Sequence, residues 1–190
     1  MISEFLANSY PIGTEKPLVI ELLGGSYLLT THASAELEVR EPDLKGRLLL
    51  PEPEDTGDYW MIGGQAPGAL LAARDRVQAE IRVPEGLDVV FSVHAGNVRV
   101  RGAYRSLEVS ATFGLVEAEL PGLSVTGPAD FRVMVGEIKL LKIKPIEITK
   151  KSDRRMAFSA ERLREFCAQV TLGEVKLVKQ LNKSAWRHAA

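Results

Sequence analysis

Apolar and polar residues alternate with a period of two along five stretches of the chain, and each stretch is centred on a glycine. The stretches are Leu18–Leu29, Val89–Val100, Leu107–Ala118, Ala129–Leu140 and Phe166–Leu177, centred on Gly25, Gly96, Gly114, Gly136 and Gly173. Two residues after the glycine stand Tyr27, Val98, Val116, Ile138 and Val175, and four after it stand Leu29, Val100, Ala118, Leu140 and Leu177. Eight of the ten residues one and three after the glycine are polar. This is the signature of a strand with one buried face.

Ahead of the glycine the apolar positions fall on odd offsets. Five before it stand Ile20, Phe91, Val109, Phe131 and Ala168, and three before it Leu22, Val93, Ala111, Val133 and Val170. The odd set extends to the immediately preceding residues, Gly24, Ala95, Phe113, Val135 and Leu172. Passing from odd to even offsets is a slip of one residue, which would turn the apolar face outward. A bulge or corner at the glycine restores it, and glycine adopts the required backbone conformation cheaply. Each unit therefore reads as strand, glycine corner, strand.

The glycines are 71, 18, 22 and 37 residues apart. The middle spacings fit one coil each. The last fits two, with an extra coil expected through 146–158, and the first is expected to hold degenerate copies around Gly46 and Gly64. Val77–Val83 and Ala35–Arg40 also alternate, the former ending at the turn tripeptide Pro84-Glu85-Gly86. Helix signals are confined to Ser159–Phe166, where Ser159 is a candidate N-cap for one or two turns or else part of a corner.

A unit of about 20 residues that cannot bury its own face must stack on its neighbours. The expected fold is all-β, a single domain over 1–190 wound as a parallel β-solenoid of short coils, with a β-sandwich of hairpins as the alternative. Residues 1–80 are expected to form irregular coils and a cap, 81–180 the regular repeats and 181–190 a tail. In-register coils predict an outward ladder of alternating charge through Arg99, Glu117 and Lys139.

The stretch Ile81–Val100, in which a Val-Pro-Glu-Gly turn feeds Gly-x-Val-x-Val units, resembles the bacterial "putative adhesin" β-strand-repeat family. The resemblance covers about residues 17–180. It implies tandem short strands with no established common biochemical activity, and it supplies no catalytic residues.

Composition agrees with a folded chain: 45% apolar, 26% charged, with 16 Gly and 10 Pro for turns. No apolar run is long enough for a membrane-spanning helix, and Met1–Lys16 does not read as a signal peptide, so the expected compartment is the cytoplasm. The net charge of −1 is unevenly spread. Residues 1–136 hold 11 Lys/Arg and 19 Asp/Glu, a balance of −8, and residues 137–190 hold 13 and 6, a balance of +7.

No catalytic, cofactor-binding or metal-ligating residue is nominated. His32, His94 and His188 have no partner at metal-ligand spacing; His94 is expected to point outward. Cys167 is a lone thiol with no histidine near it in sequence. The acidic run Glu52, Glu54, Asp55, Asp58 lacks the ordered ligand series of a calcium loop, and Gly63–Gly68 lacks the Lys-Ser/Thr of a phosphate loop. The basic stretch 139–155 has no interleaved aromatics, which argues against nucleic acid as a partner. Arg99, Arg101, Arg105, Glu117 and Glu119 are the residues a carbohydrate-active solenoid would use, and Tyr59, Trp60 and Tyr104 are the only candidates for a sugar-stacking platform. The leading expectation is a non-enzymatic structural or interaction module, binding a protein partner or itself, without cofactor. The alternative is a carbohydrate-binding or carbohydrate-active solenoid.

Overall fold

The structure, a computed structural model, describes residues 5–42, 50–64, 78–142, 147–152, 155–160 and 163–179. Every regular element among them is a strand: β1 Phe5–Pro11, β2 Leu18–His32, β3 Glu36–Pro42, β4 Glu54–Asp55, β5 Trp60–Gly64, β6 Gln78–Pro84, β7 Asp88–Tyr104, β8 Ser106–Lys142, β9 Glu147–Ser152, β10 Arg155–Ala160 and β11 Leu163–Lys179. They form one mixed sheet in the order β1-β3-β6-β2-β7-β8-β11-β10-β9, with β5 beside β2 and β4 beside β5.

The centre of the sheet is parallel and in register. Gly25 pairs with Gly96, Gly96 with Gly114, and Gly136 with Gly173. β8 passes the corner position twice, and its second pass lies on its first, because a side chain at Gly136 would point into the Gly114 backbone. A Cβ built on Gly114 would stand 1.7 Å from the carbonyl oxygen of Gly96, and one on Gly136 1.8 Å from that of Gly114. Both residues also hold positive φ, +147° and +144°. The corner glycines are therefore required twice over, by conformation and by space.

The rows on either side of the corner form the core. Ile20, Phe91, Val109 and Phe131 are buried five before the glycine, and Leu22, Val93, Ala111 and Val133 three before it. Val98, Val116 and Ile138 continue the core two after it, and Leu29, Val100, Ala118 and Leu140 four after it. Tyr27 packs at 5.7 Å on Phe91, joining the rows before and after the corner. Each such apolar side chain contributes about 1.5–3 kcal/mol by leaving water.

The residue just before the glycine departs from the expected parity. Phe113 is 47% exposed and Leu172 65%. The reason lies one residue earlier, where the ladder passes over Leu23 and His94, over His94 and Thr112, and over Met134 and Thr171. The corner thus begins two residues before the glycine, and side chains there and at the next position turn out.

The expected fillers of the long gaps are also corrected. β2 lies directly against β7 across the 71-residue gap, while β5 and β6 from that gap lie on the other side of β2, and Gly64 pairs with Leu22 rather than joining the glycine column. Gly46 lies outside the described residues. In the last gap, β9 and β10 form an antiparallel hairpin on the far side of β11, not an extra coil. Ser159 and Ala160 belong to β10 and residues 163–166 to β11, so neither is helical. β5 and β6 run parallel to the two halves of β2, while β3 and then β1 close that flank antiparallel. Parallel stacking thus gives way to antiparallel strands at both flanks, replacing bare coil edges. The tail 181–190 lies outside the described residues.

Gly114→Ala should cost more than about 3 kcal/mol in chemical denaturation, since strain and backbone overlap add. Gly86, at φ +74° with open space around it, should lose only about 1 kcal/mol on the same change.

Candidate functional site

The second halves of the central strands present alternate side chains outward in cross-strand rows. The row three after the corner runs through Arg40, Glu80, Leu28, Arg99 and Glu117, neighbour to neighbour across β3, β6, β2, β7 and β8. Arg99 donates to Glu117 at 2.6 Å and lies 3.7 Å from Glu119. Lys139 comes within 4.0 Å of the other Glu117 oxygen and 3.6 Å of Glu137. The expected ladder through Arg99, Glu117 and Lys139 is therefore present, on one face and in one row. Lys176 pairs in register with Lys139 at the next strand.

A second ionic group lies on β3 and β6, where Glu38 pairs with Arg40 at 2.7 Å and with Arg82 at 3.5 Å, and Arg82 with Glu80 at 3.0 Å. Burial pushes the Glu38 carboxyl up, but the hydrogen bond from Arg40 and the charges of Arg40 and Arg82 outweigh it and hold the group below its usual range. Between the two groups lies a shallow groove of about 660 Å³ whose outward lining includes Ser26, Leu28, Arg40, Glu80, Asn97 and Arg99. Its charged groups are committed to one another, so the surface is suited to matching a partner's charge pattern rather than to proton transfer or nucleophilic attack.

The remaining candidates are not assembled into one place. His94 is exposed as expected and stands edge-on to Phe113 at 5.5 Å. His32 donates from Nε2 to the Glu36 carbonyl at 2.7 Å. His188 lies outside the described residues, and Cys167 is placed by its backbone pairing with Asp130 and Ala157. In the acidic run, Asp55 accepts from Lys16 at 2.7 Å and from the Gly57 backbone at 2.8 Å, which holds its carboxyl down. No group of metal-binding side chains occurs among the described residues. The aromatic platform does not form. Tyr104 is buried, Trp60 packs half-buried on the core with Lys16 above its ring, and Tyr59 alone is exposed.

Two features escaped the sequence reading. Tyr27 and Tyr104 reach back over a positive-φ glycine to donate to a carbonyl three residues earlier, Tyr27 to Gly24 at 2.5 Å and Tyr104 to Arg101 at 2.9 Å. Burial pushes the Tyr27 phenol up to about 12 and that of Tyr104 higher still. The shared triplet is Gly-x-Tyr, Gly25-Ser26-Tyr27 and Gly102-Ala103-Tyr104. The other feature is Asp88, at the opposite turn, which accepts from Arg105 Nε at 2.9 Å and from Ser106 Oγ at 2.7 Å. The Arg105 bond, aided by Ser106, holds the Asp88 carboxyl below the usual range.

Comparison with solved structures aligns this chain with a "putative cell adhesion protein" from Clostridium sporogenes at TM-score 0.54 and 10% identity, over 93% of this chain and 100% of that one. A "putative adhesin" from Bacteroides fragilis aligns over 92% of this chain and 97% of that one, at 11% identity and TM-score 0.35. At these values the first likeness is one of fold alone. No family model and no curated protein matches the chain. No helix among the described residues is long and apolar enough to cross a membrane.

A double-mutant cycle on Arg99→Ala and Glu117→Ala should return a coupling of about 0.2–1 kcal/mol, falling with added salt. Because the Asp88 pKa is depressed on folding, its contribution is present above the ordinary carboxylate range and lost as pH falls through the depressed value. The stability gap between wild type and Asp88→Asn should therefore close between about pH 5 and pH 2 in denaturation curves.

Proposed function

We propose that the chain is a non-enzymatic, self-associating protein-interaction module, wound as a parallel β-solenoid and akin to the adhesin-type β-strand-repeat family. The observation that carries this reading is the outer surface: in-register strands lay out paired charges as a flat ladder whose groups satisfy one another. The likeness of fold to the "putative cell adhesion protein" of Clostridium sporogenes supports the same class of role. Self-association is favoured by the uneven charge, −8 over residues 1–136 against +7 over 137–190, which lets one copy complement another.

Sedimentation equilibrium at low and high salt tests the proposal. A dimer or larger species that weakens as salt rises is expected. A monomer at both salt concentrations contradicts it.

A further inference from the structure

The corner that interrupts each coil leaves a ridge of apolar side chains in water. Among the described residues five large hydrophobics are exposed, and four of them lie on this corner: Leu23 at 43%, Phe113 at 47%, Met134 at 54% and Leu172 at 65%. His94, exposed and edge-on to Phe113, fills the remaining step. The ridge thus carries one such side chain per pass, and successive passes are about 4.8 Å apart, so it extends for roughly 19 Å. Each corner consists of the glycine and its two preceding residues, and none of those fifteen positions holds Asp, Glu, Lys or Arg. On a surface that elsewhere carries ion pairs, a strip free of Asp, Glu, Lys and Arg, with an exposed large hydrophobic at four of its five steps, marks a contact face.

We infer that this ridge is the face on which a second copy of the chain docks, ridge against ridge, about a two-fold axis that runs the two stacks in opposite directions. The inference rests on the self-association proposed above and names its surface. Charge selects the arrangement. The acidic β1–β3 flank and the basic β9–β11 flank lie at opposite ends of the sheet, so antiparallel copies set the acid end of one beside the basic end of the other. The outward row four before the glycine agrees, since it carries Glu21 in the first pass, Ser92 and Ser110 in the next two and Arg132 in the fourth. With the axis between the second and third passes, the first four passes of the two ridges overlap, and Glu21 of one copy faces Arg132 of the other, twice per dimer. Arg132 already lies by Asp130 and Glu108, at 3.3 Å from the latter, and its side chain is exposed. A specific dimer of micromolar strength needs a contact near the lower end of specific interfaces, about 1,200 Å² in total, so the rows flanking the ridge take part in it as well.

Sedimentation equilibrium of the full chain at about 10–100 µM tests this with four variants. Phe113→Ser combined with Met134→Ser should raise the dimer Kd about a hundredfold or more, with far-UV circular dichroism unchanged because both side chains are exposed. Tyr59→Ser, at the exposed large hydrophobic that lies off the corner, should leave Kd within about twofold. Glu21→Arg should raise Kd about tenfold, and adding Arg132→Glu should restore it. A wild type that is monomeric throughout overturns both this inference and the self-association it rests on. A wild-type dimer untouched by the ridge variant overturns the ridge alone, and a dimer that the ridge variant breaks but the charge swap does not restore overturns the antiparallel pairing. A monomer that instead co-sediments with phosphatidylcholine vesicles through Phe113 and Met134 makes a lipid surface the occupant and overturns the second copy.

Discussion

At each corner of the central strands, the carbonyl of one glycine occupies the space where the next strand's side chain would stand. That close approach allows one glycine to lie on another from Gly25 through Gly136, and it leaves no side chain admissible at the contact. The corner reverses the parity of the strand, so residues at odd offsets before it and even offsets after it enter the same interior. Remove the close approach and one half of each central strand would turn its valines to water.

Register follows from the same constraint. With the glycines stacked, every other position is stacked as well, and like side chains form rows across strands. Inward rows of Ile, Val and Phe exclude water from one continuous core. Outward rows bring Arg99 beside Glu117 and Glu117 beside Lys139, so a substitution at one coil is felt at the next. Among the described residues, the surface that results is shaped by the spacing of strands, about 4.8 Å. The exposed face carries a pattern of paired charge and a strip of apolar corner residues.

Much of this was legible from residue order. The alternation around Gly25, Gly96, Gly114, Gly136 and Gly173 located the central strands, the buried rows and the Arg99–Glu117–Lys139 ladder, because a period of two and a shared centre are local signals. Strand partnership across long gaps was not legible. That β2 neighbours β7, and that residues 147–160 form a hairpin outside β11, depend on where the chain returns, and nothing in the alternation encodes the return. The exposure of Phe113 and Leu172 was also missed: parity alone treats them as inward, and only the lapse of pairing at the preceding residue turns them out. The roles of Tyr27 and Tyr104 lay in a repeated Gly-x-Tyr triplet whose meaning becomes plain only when the phenol is seen bonding back over its glycine.

The most direct measurement of the central claim is a set of cross-strand backbone contacts by nuclear magnetic resonance across β7 and β8. The in-register parallel arrangement predicts contacts of Val89 with Leu107, Asn97 with Leu115 and Val100 with Ala118, together with Gly96 against Gly114. Contacts in the opposite order, Val89 with Ala118 and Val100 with Leu107, would mean that the two strands form a hairpin and that the glycine column does not exist.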